Sequence, residues 1–222
     1  MRIRILTPAQ FARMAVVVIV LALISPAFAL CQQSPIQLPA PQMTGGTPLM
    51  QALAQRHTTR AFADKPLPLQ TLSNLLWAAF GVNRPHAQEP GLGRTAPSAL
   101  NRQEIELYVL LADGVYVYQA EQNRLLPVVA KDLRSKANAA APHAGVTIAY
   151  VADIGHVADG NLDFGRVDTG FIAQNVYLFA ASEGLNAWFY TFHGHEADIA
   201  KELMLPEGKK PIYVQSIGFR PH

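Results

Sequence analysis

Cysteine is almost absent from this sequence, and its scarcity limits how the fold can be held together. Cys31 is the only cysteine among 222 residues. One thiol cannot form an intramolecular disulfide, and it cannot supply the sulfur ligands of a structural zinc site. The fold must therefore be stabilised by a hydrophobic core. A chain of 222 residues with 50% hydrophobic content can bury one, most naturally within a single domain.

Charge is also scarce, because charged residues make up only 15% of the sequence. That content excludes a disordered chain or a long coiled coil. No basic stripe with interleaved aromatic residues occurs, so we expect no nucleic acid partner. The formal net charge of +2 depends on arginines near the N-terminus. Without the first 29 residues, the chain has 15 basic and 16 acidic residues.

The first 29 residues have the pattern of a signal peptide. Arg2, Arg4 and Arg13 precede a ten-residue apolar run at 15–24, and Ala27-Phe28-Ala29 is a small-x-small cleavage pattern. The run is shorter than the roughly 20 apolar residues of a membrane-spanning helix. We therefore expect residues 1–29 to be removed and the protein to be exported, to the periplasm or beyond the cell.

Two alternatives would keep the protein at a membrane. The leader could remain uncleaved as an N-terminal anchor. Cys31 could instead carry a lipid, although Leu30 before it fits a lipoprotein signal badly. We expect membrane association only through one of these two routes.

The remainder of the chain predicts a linker at 30–46, rich in Pro, Gln and Gly, and one domain at 47–222. The linker segment could also be an extended arm. The predicted helices are at 48–55, 69–80, 128–140, 168–183 and 196–204, with a loop at 82–97 and a short helical start at 97–99. The predicted strands are at 105–111, 115–118, 146–151, 187–192 and 212–219. This mixture predicts an α+β fold with a mostly antiparallel central sheet flanked by helices.

The stretch Arg56-His57-Thr58-Thr59-Arg60-Ala61-Phe62 concentrates groups that bind phosphate. Guanidinium groups present a planar fork of donors, and threonine hydroxyls add neutral donors. The predicted helix at 48–55 ends just before the stretch, and the negative end of a helix dipole does not attract anions. Side chains would therefore hold the phosphate. The alternative is a solvated polar turn.

Three further stretches follow in order. They are Pro97-Ser98-Ala99-Leu100-Asn101-Arg102-Gln103, then 181–192, and finally 205–220, which ends in Ile217-Gly218-Phe219-Arg220. Considered alone, the first is most simply a capped helix start, and Arg220 could equally be a solvated tail residue. The four stretches together, covering about 47–220, resemble the FMN-dependent nitroreductase family.

The resemblance implies a nitroreductase-like fold, an FMN cofactor and two-electron chemistry in which a hydride arrives at and leaves flavin N5. It implies FMN-binding roles for ten residues. Those at the phosphate are Arg56, His57, Thr58, Arg60 and Arg220. Those at the ribityl chain and ring are Ser98, Asn101 and Gln103, with Thr191 and Phe192 near N5. Many members have an acid-glycine pair whose backbone approaches N5 at the position where this chain has Thr191-Phe192, so the glycine is missing here.

The resemblance also implies a homodimer with the flavin between subunits and a small organic substrate. The stretch 75–84, with 94–98 and 113–118, is most similar to the branch that includes dehydrogenases of azoline-containing peptides. The adjacent Lys-Tyr pair that this branch uses is absent, so azoline oxidation is not supported. No catalytic side chain stands out. We expect no metal site, since the His193-Gly194-His195 stretch lacks ligand spacing.

One alternative belongs to a different functional class. NAD(P)H is not expected outside the cytoplasm, and export of an unfolded chain strips its cofactors. The protein could therefore be a flavin-binding or cofactor-free periplasmic interaction protein on the same fold.

Overall fold

The computed structural model describes residues 33–85, 93–157 and 161–221. The described helices are α1 Leu49–Gln55, α2 Leu69–Phe80, α3 Arg134–Ala137, α4 Asp163–Ser182 and α5 Glu196–Glu202, with single 3-10 turns at Ala99–Asn101 and Ile154–His156. The strands are β1 Ile36–Gln37, β2 Val82–Arg84, β3 Gly93–Arg94, β4 Ile105–Leu111, β5 Gly114–Gln119, β6 Arg124–Val129, β7 Val146–Asp153, β8 Asn186–Tyr190 and β9 Lys209–Gly218. No helix in these ranges is long and apolar enough to cross a membrane.

Seven strands form the central sheet in the order β1-β6-β5-β4-β7-β9-β8. All of its pairings are antiparallel. The predicted α+β fold with a mostly antiparallel sheet is confirmed. Side chains alternate between the two faces of a strand. In β7, Ile148 and Tyr150 pack toward α2 and α4, whereas Ala149 and Val151 pack toward α3 and α5.

Helix α2 shows how the sequence pattern produces the core. Leu72, Leu75, Leu76 and Ala79 recur at three- and four-residue spacing, and all four are buried. Each fully buried leucine contributes about 1.5–3 kcal/mol to stability. The helix ends at Gly81, where an added Cβ would lie 2.6 Å from the Trp77 carbonyl oxygen. The predicted bounds of this helix are confirmed.

Helix α4 covers one face of the sheet and has two dissimilar sides. Its inner side buries Ile172, Val176 and Ala180 against the sheet. Its outer side exposes Phe164, Val167 and Phe171, whose exposed fractions are 52%, 55% and 46%. In a single chain the helix is therefore a surface layer with an uncovered apolar stripe, and not a central core element.

Several elements differ from the predictions. The segment predicted as a linker at 30–46 includes β1, in which Ile36 pairs with Leu125, and Leu38 after it is buried. The described part of this segment is thus an arm along the sheet edge. The helix predicted at 128–140 is wrong over most of its length, because 128 and 129 end β6 and only α3 is helical. The predicted loop at 82–97 contains the small β2–β3 hairpin, and its residues 86–92 lie outside the described ranges.

Other boundaries are close to the predictions. Helix α4 begins at Asp163, five residues before the predicted start, because Gly165 and the charged residues around it weaken the helical signal. The predicted strands at 105–111 and 115–118 are confirmed, and they form an antiparallel hairpin with Leu111 opposite Gly114. Gly184 ends α4 with φ of 67°, a left-handed conformation that glycine adopts without strain. The predicted leader at 1–29 and Cys31 lie outside the described residues.

Candidate functional site

The Arg56–Phe62 stretch runs along the first residues of β8. Helix α1 ends at Gln55 and Arg56 is extended, so the stretch leaves the helix as an open strand. The Thr59 amide donates to the Ala187 carbonyl at 3.0 Å, and the Ala187 amide donates to the Thr59 hydroxyl at 3.2 Å. The Asn186 side chain donates to the Ala61 carbonyl at 2.6 Å. These bonds position Arg56, Thr58 and Arg60 at one end of the sheet.

Antiparallel pairing brings Arg220 to the same end. Asn186 at the start of β8 lies opposite Gly218 at the end of β9, and Arg220 follows two residues later. The amide of Ala63 donates to the Phe219 carbonyl at 2.9 Å, which attaches the stretch to both strands. A small cleft here is lined by His57 and Arg220 together with Gln55, Tyr177, Ala180, Ala181, Leu185 and Ala187. The structure thus brings together stretches more than 150 residues apart in the sequence.

Tyr177 of α4 joins these elements, and the sequence analysis did not identify it as a site residue. Its hydroxyl accepts a hydrogen bond from the Phe189 amide at 2.8 Å and lies 3.0 Å from the Thr58 hydroxyl. The Arg56 guanidinium lies 5.5 Å from the centre of its ring. The sequence did contain a signal for this role, namely a tyrosine within the otherwise apolar pattern of α4. A partly buried tyrosine hydroxyl usually finds a polar partner.

The charges in this cluster suit an anion. Among the ion pairs of the described residues, none involves Arg56, Arg60 or Arg220. Arg60 lies over the Trp188 ring at 5.2 Å instead of beside a carboxylate. The His57 Nδ1 donates to the Gln55 carbonyl at 2.6 Å, so Nε2 is the ring nitrogen that could contact a ligand. Guanidinium groups without a carboxylate partner among the described residues, beside a threonine hydroxyl, are a donor set that fits a phosphate group.

The Ser98–Gln103 segment lies elsewhere along α4. The Ala99 amide donates to Asp168 at 2.9 Å, while the Arg56 cluster contacts Tyr177. Nine residues separate these two helix positions, which corresponds to about 13 Å along the axis. Within one chain, the segment and the Arg56 cluster are therefore separate sites.

The Ser98–Gln103 segment has an unusual backbone. Leu100, Asn101 and Gln103 have φ of 54°, 52° and 53°. A left-handed conformation costs residues other than glycine about 1–3 kcal/mol and persists only where surrounding contacts impose it. The Leu100 side chain is 80% exposed. Such strain concentrates at functional sites.

Hydrogen bonds hold the polar groups of this segment. The Gln103 side chain donates to Asn101 Oδ1 at 2.8 Å and accepts from the Arg94 guanidinium at 2.7 Å. Burial lowers the pKa of the Arg94 guanidinium, which nevertheless stays charged at neutral pH. The Ser98 hydroxyl accepts from the Gln103 amide at 2.8 Å and donates to Glu104 at 3.3 Å. The three predicted ring and ribityl contacts are thus grouped and oriented together.

Thr191 and Phe192 follow β8 and have different environments. Thr191 is exposed and lines a cleft of about 500 Å³, with Leu162, Arg166, Glu196, Ala197, Ala200 and residues 209–213. Phe192 is 3% exposed and packs with Ile199, Leu203 and Val214 on the other face of the sheet. Only the backbone of Phe192 could therefore meet a ligand in this cleft.

The chain matches the model of the nitroreductase family over residues 53–219. A protein of Methanocaldococcus jannaschii assigned to the nitroreductases is 30% identical over 185 residues, covering 73% of this chain and 91% of that protein. A crystal structure of a Ralstonia eutropha protein with the same assignment has 37% identity and a TM-score of 0.79, and the match covers 86% of this chain and 91% of that one. The Escherichia coli microcin synthetase McbBCD complex contains a chain with a TM-score of 0.62 at 17% identity, covering 100% of this chain and 85% of that chain, a similarity of fold alone. On its sequence and its fold, this protein belongs to the nitroreductase family and is an oxidoreductase of that family.

Proposed function

We propose that this protein is an FMN-dependent oxidoreductase acting on a small organic molecule. The observation that carries the proposal is the convergence of Arg56, Thr58 and Arg220 at one end of β8 and β9 without a described carboxylate to neutralise them. FMN, when bound, supplies reversible two-electron chemistry by exchanging a hydride at N5. The protein supplies binding, orientation and access.

Different residues bind different parts of the flavin. Arg56, Thr58 and Arg220 hold the phosphate: Arg220 and His57 line the small cleft, and Arg56 and Thr58 contact Tyr177 of its wall. Arg60 lies over Trp188 of β8, so it neutralises negative charge near the flavin ring or on an anionic substrate. The grouped Ser98, Asn101 and Gln103 meet the ribityl chain and the polar ring edge, where amide groups can match donors and acceptors alike.

A second copy of the chain completes the site. The segment at Ser98–Gln103 lies apart from the phosphate cluster of its own chain, which favours a flavin bound by one cluster and by the segment of the partner. The outer stripe Phe164, Val167 and Phe171 and the exposed face of α1, with Leu49, Met50 and Leu53, provide apolar surface for a homodimer.

The cleft beside Thr191 is the proposed substrate cavity. Its volume of about 500 Å³ is within the range of small-molecule pockets. The apolar walls from Pro211 and Ile212 accept the body of an organic molecule, while Lys210 offers positive charge and Glu196 a carboxylate. Many family members have glycine where this chain has Phe192. The larger residue leaves less room for a ligand to approach the backbone at this point. The azoline-dehydrogenase-like branch remains our proposal for the subgroup, without azoline oxidation as the activity.

We further propose that the protein acts outside the cytoplasm after loss of residues 1–29. The electron donor would then be a reductant other than NAD(P)H. Purification from the periplasm followed by an absorbance spectrum tests the proposal. A yellow protein whose flavin bands bleach on chemical reduction and return with an organic acceptor supports an oxidoreductase. A colourless protein that binds no added FMN favours the alternative of an interaction protein.

A further inference from the structure

We propose that Glu104 and Asp168 share one proton beneath the Ser98–Gln103 segment, and that this carboxyl pair is the positioning element that holds the segment in its flavin-binding conformation. The inference rests on the proposed function for the role of the segment. Neither residue is assigned a contact with the flavin. Both act through the residues that they hold.

The pair is connected to both ends of the segment. Glu104 and Asp168 are 1% and 2% exposed. At the start of the segment, the Ala99 amide donates to Asp168 Oδ2 at 2.9 Å. At its end, the Gln103 amide donates to the Ser98 hydroxyl at 2.8 Å, which in turn donates to Glu104 Oε2 at 3.3 Å. The two buried carboxyl groups therefore hold the start of the segment through Ala99 and its end, by way of the Ser98 hydroxyl, through Gln103.

One carboxyl oxygen shows where the proton belongs. Glu104 Oε1 is buried and accepts no hydrogen bond from any donor in the described ranges. The groups that face the Glu104 carboxyl are its own backbone amide, Ser98 from the segment, and Asp168 and Gly165 from α4, and none of them is a cation. Burial raises the pKa of the Glu104 carboxyl, and Asp168 raises it further by its charge and as a hydrogen-bonding partner, while hydrogen bonds from the Glu104 backbone amide and from Ser98 offset only part of the rise. A proton on Oε1, donated toward Asp168, satisfies the orphan oxygen and removes one of two buried like charges.

The strained backbone explains why the segment needs this support. Three residues between 100 and 103 have positive φ without being glycine. Such conformations relax when the contacts that impose them are lost. Loss of the shared proton leaves two buried carboxylates that repel each other, and solvation of either one breaks its bond to the segment. The segment would then leave its strained conformation.

The expected pH dependence follows from the direction of the Glu104 shift. The folded protein holds a proton that the unfolded chain releases at the ordinary carboxyl pKa of 4.5. Stability contributed by the pair is fully present below that value. It is lost progressively as the pH rises toward the higher pKa in the folded protein. A Glu104→Gln amide keeps a donor toward Asp168 and an acceptor for Ser98 at every pH.

Two measurements on the full-length mature protein test the proposal. The first is hydrogen exchange of the peptide spanning 97–104, without flavin, for wild type and Glu104→Gln from pH 5 to 9. For the amides of 98–103, which precede the substituted residue, the intrinsic exchange rates are common to both proteins and cancel from their ratio. The second is the ratio of their FMN dissociation constants over the same range, from which the titration of FMN itself also cancels. Glu207→Gln, an exposed carboxyl, is the matched control. Asp168→Asn serves as the second variant if Glu104→Gln does not fold.

We expect Glu104→Gln to keep protection and FMN affinity at high pH, while wild type loses both by up to tenfold per pH unit between the ordinary carboxyl pKa of 4.5 and the raised pKa in the folded protein. The control should follow wild type. The proposal is overturned if the exchange ratio is independent of pH. It is also overturned if Glu104→Gln loses protection at every pH, which is the result expected if Glu104 were an ordinary ionised acceptor in wild type. If the exchange ratio varies with pH but wild type binds no FMN at any pH, the shared proton stands and the proposed function fails.

Discussion

Replacing Arg56 with alanine tests the phosphate site most directly. The guanidinium lies at the end of α1 in a cluster without a described carboxylate partner, so its charge is available to an anion. A charge-assisted hydrogen bond contributes about 1.5–3 kcal/mol, equivalent to about a tenfold to hundredfold change in affinity. Arg56 is half-buried, and solvent screening favours the lower part of that range.

The assay compares two ligands that differ only in the phosphate. FMN and riboflavin are titrated into wild type and Arg56→Ala at one salt concentration, with flavin fluorescence as the signal. FMN affinity should fall about tenfold or more, while riboflavin affinity should change little. Arg124→Ala provides a matched control, because it removes an arginine that donates to Gln119 at 2.7 Å on a strand far from β8.

The alternative role for Arg56 predicts a different result. The guanidinium also lies over Tyr177, an interaction of about 0.5–1 kcal/mol at a partly exposed site. If that contact were its whole contribution, Arg56→Ala would lower the melting temperature and leave the ratio of FMN to riboflavin affinity unchanged. An unchanged ratio, or a wild type that binds neither flavin, would refute the phosphate assignment.

Three further predictions follow from the same structure and sequence. Tyr177→Phe removes the hydroxyl that joins Thr58 to β8, so FMN affinity should fall severalfold in the same titration, and unaltered affinity would contradict the role of this hydroxyl. Light scattering should give twice the chain mass for the mature protein, and Val167→Glu in the exposed stripe should yield monomers with weakened FMN binding; a wild-type monomer that binds FMN at micromolar concentration would exclude the shared site. Intact mass of exported protein should correspond to a chain beginning near Leu30, whereas a retained leader or a diacylglycerol on Cys31 would disprove simple cleavage.

Elements with a strong local pattern were predictable from the sequence. Helix α2 has its leucines at helical spacing and a glycine where the Trp77 carbonyl leaves no room for a Cβ. The β4–β5 hairpin follows from two runs rich in β-branched and aromatic residues around a short polar turn. In both cases the decisive interactions lie within a few residues of each other.

Elements stabilised by distant partners were not predictable in this way. Strand β6 contains Pro127, which ordinarily argues against a strand, and it is held by pairing with β5 on one side and with β1 on the other. The adjacent apolar residues Val128 and Val129 fit a helical period as well as a strand. Ile36 and Gln37 have the sequence context of a linker, and they become a strand only because they pair with the edge of β6.

The sequence by itself determined the composition of the site. Arginine, threonine and amide side chains occur in four stretches whose order is typical of the family, and their hydrogen-bonding chemistry does not depend on the fold. Only the tertiary structure decided which of them meet. Antiparallel pairing of β8 with β9 brings Arg220 to the end of the sheet where Arg56 lies, while α4 separates both from Ser98 and places Tyr177 between Thr58 and β8. The burial of Glu104 against Asp168 is equally a product of packing, because a carboxyl group acquires a raised pKa from its surroundings and not from its neighbours in the chain.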